Sequence, residues 1–274
     1  MGTSRVVLIT GGSSGIGAAC VRLLVSRGWK VSVFALPDSN LDRIGELDVL
    51  VNSGDVTSHE ACERTFERTL AHYGCIDVLV NSAGVGLYAA PTEIPLPLFS
   101  RLLHINAVAP LALAQMAIPI MRRRGSGTIV NIGSVAGSVA LPWAAAYSAS
   151  KFALNAVHDS LRRELRGDCI HLVKVCPGIV DTGFRNHVLA GLPPPTVERI
   201  RKVVSPEAVA MRILSAIERR RHTVYVPRIG ALFTLLDAVA PWLMDLYLSR
   251  FLAAKGHVNL SSNRMGAMSN DEAA

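Results

Sequence analysis

The sequence predicts a doubly wound α/β domain: a parallel sheet with helices on both faces. Three observations carry that expectation. Short apolar runs alternate with helical stretches along most of the chain. The runs lack the polar alternation of a half-exposed strand, so both their faces are covered. The first run ends in a glycine-rich turn that opens a helix, and ligands in such sheets bind at the carboxyl ends of the strands.

The elements follow in order. Arg5–Thr10 (RVVLIT) reads as a buried strand, and 15–28 as a helix with Ile16, Cys20, Leu23 and Leu24 toward one face. Val31–Ala35 and Asp48–Asn52 read as the second and third strands. Residues 58–73 form an amphipathic helix with Ser58 at its N-cap. Asp77–Asn81 is the fourth strand. A long helix is expected over 97–123, bent or divided by Pro110 and Pro119, because proline removes a helical hydrogen bond and crowds the preceding turn. Thr128–Ile132, a helix over 145–166, Ile170–Cys176 and Thr223–Val226 complete the alternation. One domain is expected over 1–228, with an apolar helical extension over 229–255 and a flexible tail over 256–274.

Composition narrows the function classes. Half of the 274 residues are hydrophobic and 18% are charged, which supplies a core and argues against disorder. The net charge is +7, but the basic residues are scattered, with short clusters at Arg122–Arg124 and Arg219–Arg221 that suit helix C-termini. No nucleic-acid-binding signature accompanies them, so no nucleic-acid partner is expected. The five cysteines show no CxxC spacing; buried, reduced thiols and no metal site are the expectation. His104, His158 and His171 read as structural or surface residues. MGTSRVVLIT is not a signal peptide, and Val6 breaks the myristoylation pattern. A cytoplasmic setting is expected.

Chemistry is concentrated in three stretches. In TGGSSGIG, Gly11, Gly15 and Gly17 are spaced to let a pyrophosphate approach backbone without a Cβ in the way. Ser13, Ser14 and Ile16 lie between them at a helix N-terminus with unpaired N–H groups. The second strand ends in Ala35 and Leu36, where such folds place an acid for NAD or a base for NADP; neither is present, and Asp38 follows slightly later. In YSASKFAL, Tyr147 and Lys151 share a helix face at i and i+4. A free phenol has a pKa of about 10, and a neighbouring ammonium is expected to lower it toward the working range.

TGGSSGIG, NSAG (81–84), Asn106 in LHINAVAP, Ser134 in IVNIGSVAG, Tyr147-x-x-x-Lys151 and PGIVDT (177–182) occur in order. With them the chain resembles the short-chain dehydrogenase/reductase family over about residues 4–226, and its steroid and retinol dehydrogenase branches in LITGGSSGIG and YSASKFAL. The resemblance implies a Rossmann-type fold and an NAD- or NADP-dependent oxidoreductase. It makes Tyr147 the general acid/base, with Lys151 holding the nicotinamide ribose. Ser134 would bind the substrate oxygen and Asn106 would support a relay to Lys151. Asn81, Ala83 and Gly84 would line the adenosine side, where Ser82 replaces the second Asn of the common NNAG. Asp55 and Val56 would touch adenine, with helix capping the competing role for Asp55. Pro177, Gly178, Ile179 and Thr182 would meet the nicotinamide. Homo-oligomers are common in the family.

The loops that select substrate in that family are apolar here: Val85, Leu87 and Tyr88; Val139, Leu141, Pro142 and Trp143; Phe184, Val188, Leu189 and Leu192. They suit a hydrophobic alcohol or carbonyl. Residues 183–204, with Pro193–Pro195, form either a mobile lid or a rigid surface loop. In 229–254, Leu232, Leu236, Val239, Leu243 and Leu246 share a face that packs on the core or across a homodimer, or docks on a membrane surface; interrupting charges and Pro241 argue against a spanning helix. The rival to an enzyme is a nucleotide-sensing or interaction protein on the same fold. Retention of Tyr147, Lys151, Ser134 and Asn106 argues against it.

Overall fold

The structure is a computed structural model that describes residues 4–253 except Asp38, Asn40 and 192–202. Asp38, Leu192, Pro193–Pro195 and the expected tail at 256–274 therefore lie outside the described residues.

Seven strands form one parallel sheet. They are β1 (Val6–Thr10), β2 (Lys30–Ala35), β3 (Val49–Ser53), β4 (Val78–Asn81), β5 (Gly127–Ile132), β6 (Ile170–Pro177) and β7 (Thr223–Val226). The order across the sheet is β3-β2-β1-β4-β5-β6-β7. The chain reverses its direction of winding between β1 and β4, which opens a crevice at their carboxyl ends.

Alternation within the strands builds two cores. Val7 and Ile9 face α1 (Gly15–Ser26) and α7 (Pro206–Glu218), while Leu8 faces the other side, toward α3 (His59–Tyr73) and α5 (Ala109–Arg124). All three side chains are fully buried. The Ser58 hydroxyl accepts the Ala61 N–H at 3.2 Å and caps α3, as its sequence position predicts. The short α2 spans Asp42–Gly45, and α6 spans Ala145–Glu164.

The long helix expected over 97–123 is divided ahead of Pro110, by a π turn. It comprises α4 (Leu96–Leu103), a π turn over His104–Val108, and α5. The Ala109 N–H reaches back five residues to the His104 carbonyl. Pro110 has no N–H to offer the Asn106 carbonyl, so the wider turn falls just before it. Pro119 sits inside α5.

The basic clusters end helices. Arg122 pairs with Asp168 at 2.8 Å and Arg124 with Asp77 at 2.8 Å, while Arg219–Arg221 follow α7. All five cysteines are free. Cys20, Cys62 and Cys176 are buried, Cys75 is half-buried, and Cys169 is exposed, contrary to the expectation for that thiol. His158 and His171 are buried and His104 is exposed; no group suited to a metal occurs among the described residues.

The C-terminal extension forms α8 (Ile229–Val239) and α9 (Pro241–Ala253), bent by 116° at their junction. Met244 and Gly230 face inward and are buried, and Phe233 stacks on Tyr247 with centroids 5.7 Å apart. The face expected to pack on the core does so only at Leu236, which is half-buried; Leu232, Val239, Leu243 and Leu246 are exposed.

Candidate active site

A cavity of about 1150 Å³ runs along the carboxyl ends of the strands. One end lies against Phe34, Ala35, Leu36, Asp55 and Val56; its middle passes Ser13–Ile16 and Ser82–Gly84; its far end holds Ser134, Tyr147, Lys151 and the Pro177–Thr182 loop.

The glycine loop is built by contacts between backbones. Gly11 has φ +64°, and a Cβ there would lie 2.8 Å from the Ala83 Cα. Gly15 has φ +51°, and a Cβ would lie 3.2 Å from the Thr182 methyl. A Cβ on Gly17 would overlap the Gly11 carbonyl oxygen. Gly17 therefore makes room for the α1 helix on its own loop and does not itself line the cavity. Ser14 caps α1 without a side-chain hydrogen bond, so the first-turn N–H groups remain available to an anion at the cavity wall.

The opposite wall hangs on a residue that motif spacing did not single out. The Thr10 hydroxyl accepts the N–H groups of both Ser82 and Ala83 at 3.1 Å. The turn is thus held by backbone donors, which accounts for serine at position 82. Asn81 is buried away from the cavity: its amide donates to Asn131 Oδ1 at 2.8 Å, and the Asn131 amide meets His158 Nδ1 at 3.2 Å. In the structure Asn81 acts as a strut between β4 and β5. Asp55 does line the cavity, while its Oδ1 accepts the Thr57 N–H at 2.8 Å in a turn ahead of α3; the helix cap that competed with adenine contact is supplied by Ser58 instead.

The catalytic candidates converge at the far end. Ser134 lies beside Tyr147 and acts on its phenol, and Ser134 Oγ accepts the Ala136 N–H at 3.1 Å. Lys151 is buried; its Nζ donates to the Ile132 carbonyl at 3.1 Å and lies 5.9 Å from the Tyr147 ring centre. Asn106 is also fully buried, and its side chain is spent on structure. Val85 N–H donates to its Oδ1 at 3.0 Å, and its Nδ2 donates to the Val85 carbonyl at 2.9 Å and to Ser150 Oγ at 3.0 Å. Ser150, unmarked in the sequence reading, returns a hydrogen bond to the Tyr147 carbonyl at 2.7 Å. Asn106 thus fixes the β4 loop against α6, and its Oδ1 and Lys151 Nζ both lie beside Gly84.

The electrostatics reverse another expectation. Burial pushes the Tyr147 phenol up to about 12, with the Ser134 hydrogen bond pulling the other way. Burial brings Lys151 down to about 8. At neutral pH the phenol holds its proton and the lysine remains mostly cationic. The neighbouring ammonium does not lower the phenol as its i, i+4 spacing suggested, because desolvation outweighs it.

The surrounding wall is aromatic and apolar. Tyr147 lies between Tyr88 and Phe184, with ring centres 5.8 Å and 6.0 Å away. Tyr88 N–H donates to Ala190, Gly86 N–H to His187, and Leu189 N–H to Gly86, so the loops after β4 and β6 form a small ladder across the cavity mouth. Asp181 and Val204 are tied similarly: Asp181 N–H donates to Val204 and Val204 N–H to Ile179. The described parts of 183–204 are thus anchored at both ends. Trp143 takes φ 63°, a rare conformation for a bulky residue, and its carbonyl accepts the Ala89 N–H at 3.1 Å. Leu87 is fully buried with Leu102 and Ala146 instead of lining the cavity. Phe233, Met244, Tyr247 and Leu248 of α8 and α9 supply a wall that the loop-by-loop reading missed.

Comparison with known proteins agrees with this geometry. A family model described as short chain dehydrogenase matches residues 5–192. The chain is 32% identical over 240 residues to a dehydrogenase/reductase SDR family protein 7-like of Drosophila melanogaster, covering 83% of this chain and 74% of that protein. It is 30% identical to dehydrogenase/reductase SDR family member 7B of Bos taurus over 259 residues, covering 88% and 79%. A crystal structure of a short-chain dehydrogenase from Streptomyces avermitilis superposes with a TM-score of 0.79 at 29% identity, covering 91% of this chain and 98% of that one.

Proposed function

The chain belongs to the short-chain dehydrogenase/reductase family, and from that premise we propose that it interconverts a hydrophobic alcohol and its ketone or aldehyde with NAD or NADP. The observation that carries this reading is the convergence of Ser134, Tyr147 and buried Lys151 at the apolar end of a cavity whose other end holds a glycine loop and a helix N-terminus with no side-chain cap.

The walls fit a dinucleotide. Free N–H groups at the α1 N-terminus suit a pyrophosphate, while Asp55, Val56 and Ala35 border an adenosine-sized end and Ile179 and Thr182 border the other. Bound there, a reduced nicotinamide supplies the hydride. The protein supplies the rest. The Ser134 and Tyr147 hydroxyls both belong to the cavity wall, and in this reading a carbonyl oxygen accepts a hydrogen bond from each. As negative charge develops on that oxygen, Tyr147 transfers its proton to it, and the Lys151 cation stabilises the phenolate left behind. Tyr88, Trp143, Phe184 and Phe233 exclude water and offer apolar surface to the rest of the substrate.

The test follows reduced-nicotinamide absorbance over steroids, retinoids, long-chain ketones and aryl ketones with NADH and NADPH, and over the matching alcohols with the oxidised cofactors. Tyr147→Phe should abolish turnover and leave nucleotide binding largely intact. Turnover retained in that variant overturns the assignment of the proton donor.

A further inference from the structure

We propose that the α8–α9 elbow docks the protein on the surface of an anionic lipid bilayer. The inference stands apart from the oxidoreductase reading, because it rests on the outer face of these helices.

That face is apolar and open. Leu232, Leu235, Val239, Trp242, Leu243 and Leu246 are each more than a third exposed. They do not belong to a loose tail: Met244 is buried beneath them, and Phe233 stacks on Tyr247. The elbow is therefore a formed surface with leucines and a tryptophan turned outward, a composition suited to a bilayer interface. It does not span. At 1.5 Å per residue the 11 residues of α8 cover only about 16 Å of a hydrocarbon core of about 30 Å, and the 116° bend turns α9 away from the α8 axis. Each of the two short helices carries exposed apolar residues.

Charge identifies the occupant. Beside the elbow, a groove of about 270 Å³ along the edge strand β7 is lined by Arg212, Arg221 and Arg228, with Ala231 of α8 on its rim. Arg219 and Arg220 lie just before Arg221 in the chain. On the elbow itself, Asp237 is half-buried and Asp245 exposed. Anionic headgroups complement this arginine row while acyl chains receive the apolar face. The inner side of the same helices lines the cavity through Ile229, Phe233, Tyr247 and Leu248, so docking would place the cavity wall against the lipid phase.

The experiment is co-sedimentation of the full chain with phosphatidylcholine vesicles, with and without phosphatidylserine, at low and high salt. Binding should favour the anionic vesicles and weaken with salt. Leu235→Asp combined with Trp242→Asp should reduce it by at least about tenfold, with the melting temperature and its shift by nucleotide unchanged. Arg221→Gln with Arg228→Gln should remove most of the preference for phosphatidylserine. If the aspartate pair unfolds the protein, quenching of wild-type tryptophan emission by brominated lipid, reduced in Trp242→Phe, replaces it. Absence of vesicle binding, or binding unaffected by the elbow substitutions, overturns the proposal. So does a concentration-dependent dimer that the elbow substitutions dissolve, which would assign this face to a second copy.

Discussion

The two halves of the cavity are held by different kinds of contact. At the nucleotide half, backbone meets backbone: Gly11 against Ala83, Gly17 against the Gly11 carbonyl, and the Ser82 and Ala83 N–H groups on Thr10. At the substrate half, side chains from distant segments meet one another: Tyr88 and Phe184 around Tyr147, and Phe233 and Tyr247 from the C-terminal helices. Backbone contacts tolerate almost no added atoms, whereas a side-chain wall can be reshaped one residue at a time. The first half can therefore serve one cofactor class while the second adapts to substrate.

The largest effect expected is at Gly17. Gly17→Ala forces a methyl group into the Gly11 carbonyl and should cost at least about 3 kcal/mol, with nucleotide binding lost. A near-normal melting temperature and dissociation constant would break the comparison at its strongest point.

Beneath both halves runs the Asn81–Asn131–His158 seam. Burial, then Lys174, lowers His158 from 6.5 to about 4. The unfolded chain takes up this proton near pH 6.5, but the native chain does not until about 4. The associated stability is present above pH 6.5 and is lost as pH falls through 4, by about 3 kcal/mol in all. Urea midpoints measured across that range should show the loss in the wild type and a flatter profile in His158→Phe; parallel profiles would remove His158 as the cause.

Phe184→Ala sharpens the contrast. It should raise KM for the reactive substrate by about tenfold, in keeping with a lost aromatic contact of about 1.5 kcal/mol, and leave the nucleotide dissociation constant unchanged. Equal changes in both would show that the halves are not separable. Thr10→Val should weaken nucleotide binding severalfold through a cost of about 1–2 kcal/mol, because two N–H groups lose their acceptor. The smallest effect is expected for Ser82→Asn, within about 0.5 kcal/mol by thermal melting, since the turn uses residue 82 through its N–H.

The same division explains what the sequence discloses. The strands were legible to within a residue or so because burial on both faces leaves uninterrupted apolar runs, as in Val6–Thr10. The glycines, Tyr147 and Lys151 were legible because their spacing is local. Thr10 and Ser150 were not, since their partners lie far along the chain or in another element. The π turn at 104–108 escaped because a proline marks only where a hydrogen bond is missing, not how the preceding turn widens. The raised Tyr147 pKa escaped for a related reason: the i, i+4 spacing shows the ammonium, but desolvation depends on walls contributed by several loops.

Thr10 has a further consequence, for biosynthesis. It emerges from the ribosome with the first strand, yet the N–H groups it accepts belong to 82 and 83, and the Thr182 that covers Gly15 follows later still. At about 5–20 residues per second, on the order of ten seconds separates Thr10 from Thr182. A nascent chain thus carries the glycine loop well before it can grip a nucleotide. Nucleotide in the cell can stabilise the finished protein, but it cannot shepherd the growing one.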